Sequence, residues 1–200
     1  MPLLSIEPIK KNVMLGLWQI EASPSDLLVS YPQLASIVPS GMKAPNRILE
    51  RLAVAALVTE MTGIACPSIT HQPNGAPLLD GYHIGVSHTR GYASVVLSRD
   101  CEVAVDIEYR TNRVERIVSK FIRPDEQSES LDRVLLNWCA KETVYKLLNA
   151  ENLQYFDMKV VPYELKQRGH FSVENLKRPC RVEVAYRITP DYTLTYSCLS

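Results

Sequence analysis

From Val103 to Glu108 the chain reads Val103-Ala104-Val105-Asp106-Ile107-Glu108, an alternating run that specifies a β-strand. Successive side chains on a strand face opposite ways. Val103, Val105 and Ile107 are therefore expected to enter a core, while Asp106 and Glu108 share the other face. Two strand residues span roughly 6.6 Å of backbone, close enough for both carboxylates to reach one Mg²⁺, which takes oxygen ligands at about 2.1 Å. A third carboxylate would complete such a site. The later segment Trp138-Cys139-Ala140-Lys141-Glu142-Thr143-Val144-Tyr145-Lys146 reads as a helix that supplies one. Trp138, Glu142 and Lys146 fall on one i,i+4 row, so an indole anchored toward the interior carries Glu142 and Lys146 to its edge.

Each of these groups also has a plainer reading. Asp106 and Glu108 are what the solvated face of a half-buried strand carries, and Glu142 with Lys146 makes an ordinary ion pair one helical turn apart. Ser87-His88 is expected to end a strand just before a glycine-containing turn, where amides, a hydroxyl and an imidazole can surround a phosphate oxygen, although turn histidines are commonly structural. Arg47 and Arg51, also one turn apart, suit a phosphate clamp, although arginines on a solvated helix face are commoner.

The remaining elements point to a mixed α+β chain. Val13 to Ile20 is expected to form a strand, followed by short helices and turns around Pro24, Pro32, Pro39 and Pro45. Asn46 to Thr62 is expected to form a helix capped by Asn46 and stopped by Gly63. Strands are expected at Tyr82 to Val86, Ala93 to Ser98 and Glu102 to Tyr109, the first pair joined across Ser87 to Gly91. A helix from about Ser130 to Asn149 precedes strands at Met158 to Tyr163, Arg181 to Ile188 and Thr193 to Cys198. This loosely repeated plan predicts two similar lobes, residues 1–109 and 110–200, packed as one unit. In the connection from Arg110 to Glu129, Val114, Ile117, Val118 and Phe121 oppose a basic stripe of Arg113, Arg116, Lys120 and Arg123.

Charge and cysteine usage narrow the function classes. The 22 basic and 22 acidic residues cancel, so bulk charge points to no nucleic-acid partner. Five scattered cysteines without a C-x-x-C pair argue for reduced thiols rather than a disulfide framework or structural zinc. With no membrane-length apolar run and no apolar leader after the first basic residues, the chain is expected to be cytoplasmic.

Taken in order, Gly85-Val86-Ser87-His88, then Val105-Asp106-Ile107-Glu108, then Trp138 to Lys146 resemble the three motifs of the 4'-phosphopantetheinyl transferase superfamily. The longer, monomeric type similar to the surfactin-synthetase activator fits best. The resemblance implies two pseudo-symmetric α/β lobes with coenzyme A and Mg²⁺ in the cleft between them. It implies that Asp106, Glu108 and Glu142 hold the metal, that Ser87, His88, Lys141 and Lys146 surround the pyrophosphate, and that Glu142, Lys146 and His88 serve the chemistry. Arg47 and Arg51 match an arginine-bearing first helix that would hold the 3'-phosphate. The implied reaction transfers 4'-phosphopantetheine to a serine of an apo acyl or peptidyl carrier protein and releases 3',5'-ADP. The implied carrier is acidic, which suits docking on Arg113, Arg116, Lys120 and Arg123. The chain departs from the pattern at Ala76, where a lysine is usual, at Ala104, where glycine is usual, and at Cys139, where a small hydroxyl residue is usual. Cys139 is not expected to act as a nucleophile, since no histidine lies near it in sequence. Two other readings stay open: a non-catalytic module binding coenzyme A or a carrier, and a metal-dependent pyrophosphohydrolase.

Overall fold

Valine and leucine at Val13, Leu15 and Leu17, all at most 2% exposed, place their strand in the middle of a sheet. The computed structural model describes residues 2–21 and 23–199. It divides into two units, one ending at Asp100 and the next beginning at Cys101.

In the first unit, β1 (Leu3–Lys10) and β2 (Val13–Gln19) form a hairpin that turns through Asn12 at φ 60°, a left-handed conformation asparagine tolerates better than most residues. Pro8 lies on β1, an edge strand, where a missing N–H costs least. Helix α1 (Pro24–Ser30) is opened by a capping box between Ser23 and Asp26, and a 3-10 helix over Pro32–Ile37 follows. Helix α2 (Pro45–Thr62) starts one residue earlier than expected. Its N-cap is Ala44, and Pro45, whose fixed φ suits the first helical position, occupies the first turn in place of an Asn46 cap. Gly63 ends α2 at φ 75°, as the sequence predicts. Leu52, Ala53, Ala56 and Leu57 on α2 are fully buried against the sheet.

The small hairpin β3 (Thr70–His71) and β4 (Pro77–Leu78) leads to β5 (His83–Thr89) and β6 (Tyr92–Ser98). The sheet order is β1-β2-β6-β5, with antiparallel neighbours throughout. Strand β5 runs three residues past its expected end. Ser87 and His88 are ladder residues opposite Ser94 and Ala93, and the turn is only Arg90-Gly91, with Gly91 at φ 80°.

The second unit opens with β7 (Val103–Tyr109). This strand, expected to close the first lobe, takes its ladder partners from β11 (Tyr192–Cys198) in the second unit, Asp106 opposite Thr195 and Glu108 opposite Thr193. A 3-10 helix over Asn112–Lys120 and helix α3 (Leu131–Leu147), capped by Ser130, follow. Then come β8 (Met158–Val160), β9 (Arg168–Asn175) and β10 (Cys180–Ile188), giving the antiparallel order β7-β11-β10-β9-β8. On β9 and β10, Phe171, Val173, Val182, Val184 and Tyr186 turn toward α3 and pack on Leu136, Ala140 and Val144. The opposite face carries the Arg181–Glu174 ion pair and the Ser172–Glu183 hydrogen bond. In each unit the helices fall in sequence between one strand, β2 or β7, and a later hairpin whose last strand, β6 or β11, pairs with it. Among the described residues no helix is long and apolar enough to cross a membrane.

Candidate active site

Helix α3 lies over the acid-bearing face of β7, and small side chains allow the approach. Ala104 is 1% exposed and belongs to the same core as Ala140 and Val144. Thr143 Oγ1 sits 2.7 Å from Thr195 Oγ1, and the Cys139 thiol points at the Thr193 carbonyl at 3.8 Å. The face expected to be solvated is therefore covered, and Asp106 is only 5% exposed. A bare carboxylate in such surroundings is costly. Lys146 answers it: Nζ donates to Asp106 Oδ1 at 2.7 Å and to the Val105 carbonyl at 3.1 Å.

The other two expected metal acids are each held by an aromatic donor. Trp138 Nε1 donates to Glu108 Oε1 at 3.1 Å, and the Tyr155 hydroxyl donates to Glu142 Oε1 at 2.6 Å. Trp138, Glu142 and Lys146 do form one row, each meeting a group the site requires. Burial holds the Glu142 carboxyl above the usual carboxylate range, with the negative charge of Asp106 adding to the effect and Tyr155 and Lys146 opposing it. Burial likewise pushes the Cys139 thiol well up, with Asp106 and Glu108 contributing, which makes it inert at neutral pH.

Lys141, expected beside the pyrophosphate, goes elsewhere. Its side chain is completely buried, and Nζ donates to Glu126 Oε2 at 2.7 Å and the Phe121 carbonyl at 2.6 Å. Glu126 also accepts from the amides of Val160 and Arg123. Consecutive residues on a helix face different ways, and here Lys141 turns into the core on Glu126 while Glu142 turns to Tyr155. Neither Glu126 nor Tyr155 was singled out in the sequence. Only the Gln154–Asp157 capping box, which starts a short 3-10 helix at Tyr155, hints that this loop is ordered.

In the first unit, a cavity of about 650 Å³ is lined by Arg47, Glu50, Arg51, His71 and His88 among others. The two arginines and His88 thus line one hollow. Arg51 Nε donates to the Ile37 carbonyl at 2.8 Å, and His88 Nδ1 lies 3.6 Å from Glu50 Oε2. Ser87 is 8% exposed and does not line the cavity. Ala76 is outside the lining as well, whereas His71, opposite Pro77 in the β3–β4 hairpin, belongs to it.

The basic stripe is partly as expected. Arg113, Arg116 and Lys120 are exposed along the 3-10 helix, with Val114 buried beneath them. Arg123 lies beyond that helix and is engaged with Asp125 and the Phe156 carbonyl.

Among the described residues no cluster of three or more His, Cys, Asp or Glu side chains is gathered tightly enough to hold a metal. The donor set nevertheless fits a hard divalent cation in kind. Asp106, Glu108 and Glu142 offer only carboxylate oxygens, and the repulsion of Glu142 by Asp106 is one a cation relieves.

The sequence model of the 4'-phosphopantetheinyl transferase superfamily matches residues 102–197, a span that contains all three acids, Lys146 and Tyr155. No curated protein matches the chain.

Proposed function

We propose that this protein transfers 4'-phosphopantetheine from coenzyme A to an apo acyl or peptidyl carrier protein, as members of the superfamily whose sequence model matches residues 102–197 generally do. The observation that carries this reading is the convergence of β7 and α3. Lys146 is on Asp106 at 2.7 Å, Glu142 stands one turn before it, and Trp138 holds Glu108.

In the proposed reaction a carrier serine oxygen forms a bond to one phosphorus of the coenzyme A pyrophosphate. The bridging P–O bond breaks, and its electron pair leaves with 3',5'-ADP. Asp106, Glu108 and Glu142 would hold Mg²⁺, which supplies positive charge to the phosphates. Lys146 keeps an ammonium at the same acids, where negative charge develops on the phosphoryl oxygens. Glu142, which the cation would make a weaker base than a free carboxylate, would orient a water that takes the serine proton. His88 would donate to a phosphate oxygen. Arg47 and Arg51, in their cavity, suit the 3'-phosphate, and there they would make good the lysine replaced by Ala76. The exposed Arg113, Arg116 and Lys120 suit an acidic carrier helix.

Intact-mass analysis of an apo acyl carrier protein, incubated with the protein, coenzyme A and Mg²⁺, tests the reading. The expected result is a phosphopantetheine mass gain that slows by about 100-fold or more in Asp106→Ala, since losing a metal ligand removes several kcal/mol of charge stabilisation. An unmodified carrier with free 4'-phosphopantetheine in solution would show hydrolysis instead. No reaction with several carrier types would indicate a binding module.

A further inference from the structure

The Glu142 carboxylate accepts one hydrogen bond among the described residues, from Tyr155, and it is short at 2.6 Å. Tyr155 is itself firmly held. It opens the 3-10 helix Tyr155–Asp157, whose capping box ties the Asp157 carboxylate to the Gln154 amide at 2.6 Å. Its ring lies 5.3 Å from that of Trp138 and 6.4 Å from that of Phe121, while Trp138 and Phe121 meet edge to face at 5.0 Å. Phe121 is fully buried. One aromatic cluster therefore has two polar heads, the Trp138 indole N–H on Glu108 and the Tyr155 hydroxyl on Glu142, aimed at acids that come from different elements.

We propose that Tyr155 is a positioning residue that fixes the Glu142 carboxylate for a divalent cation by occupying Oε1 and leaving Oε2 for the metal. The proposal rests on the reading of Glu142 as a metal acid. A glutamate on a helix edge samples several rotamers, and a ligand that must be ordered on binding gives up affinity for that ordering. A phenol held by two neighbouring rings removes that freedom in advance. A carboxylate oxygen has lone pairs enough for a donor at one atom and a cation at the other. Partners that orient metal ligands in this way change metal affinity by about 10- to 100-fold when removed. Tyr155→Phe keeps the ring contacts and removes only the hydroxyl.

Mn²⁺ binding to the full-length protein, followed by the electron paramagnetic resonance of the free ion, tests the proposal without relying on turnover. Tyr155→Phe is expected to weaken Mn²⁺ about tenfold while its urea midpoint stays at the wild-type value, and Asp106→Ala and Glu142→Gln are expected to abolish binding. If Tyr155→Phe binds Mn²⁺ as tightly as the wild type or more tightly, while the two acid variants fail to bind, the metal reading stands and the role of Tyr155 is overturned. If the acid variants bind like the wild type, the metal reading itself fails and takes the proposal with it.

Discussion

At Lys141 an ammonium and a carboxylate are sealed together, each with no exposed side-chain surface. Burial lowers the lysine's pKa, and Glu126 opposes that shift. Such pairs contribute little net stability, but removing one partner strands the other charge. Lys141→Met is therefore expected to cost about 3–5 kcal/mol in urea unfolding, and Lys141→Met with Glu126→Gln to recover at least about half of that. A neutral single variant would contradict the assignment. The resemblance to the family grouped Lys141 with the site, because residues adjacent in a motif are read as adjacent in space. Tyr31 provides a pH test in the first unit. Burial, reinforced by its 2.8 Å hydrogen bond to Glu60, raises its pKa to about 12. Its folded pKa lies above its unfolded one, so the stability it contributes is complete below about pH 10 and declines toward pH 12. Trp18, whose ring is 6.1 Å from Tyr31, is expected to report that ionisation as fluorescence quenching near pH 12, absent in Tyr31→Phe.

Close packing of helix on strand recurs at the scale of elements. In the first unit it occurs at Gly16 on β2, where an added Cβ would stand 2.6 Å from Met61 Sδ and 2.9 Å from Leu57 Cδ1. Gly16→Ala is expected to lower stability by about 1–3 kcal/mol through overpacking, measurable by chemical denaturation, with Met61→Ala in the same background relieving the contact with the Met61 sulfur. Elements with strong periodicity were legible beforehand: α2, α3, β2, β6, β7, β10 and β11 fall where the pattern puts them, within a few residues. β9 was not. Its segment Arg168–Asn175 offers only Phe171 and Val173 as alternating apolar residues, and its Gly169 is explained by the Tyr186 ring lying against it. β1 was hidden by Pro8 and by a face that is only partly buried. The end of β5 lies beyond what the pattern suggests because Ser87 and His88 carry no strand preference of their own, and the ladder to β6 holds them extended.

For the molecule as a whole, the sequence made the chemistry of the acids legible and concealed their support. Asp106, Glu108, Glu142 and Lys146 lie in two short runs whose periodicity sets the face each occupies, whereas the meeting of the two runs was implied only by the resemblance to the family. Tyr155 acts from a single 3-10 turn and Glu126 from a loop, where side-chain direction depends on tertiary contacts that no periodicity encodes. The cavity with Arg47, Arg51 and His88 was legible only as separate arginine and histidine side chains, because the helix and the strand that bring them together are distant in sequence. The sealed Lys141–Glu126 contact has a mechanical consequence for the acid beside it. Helix α3 behaves as a shaft with a key cut into it: turning it to re-aim Glu142 would drag Lys141 off Glu126 and release the loop that Glu126 ties to Val160. Substitutions that tune the reach of Glu142 are thus confined to what surrounds its tip, because rotation of the shaft is blocked.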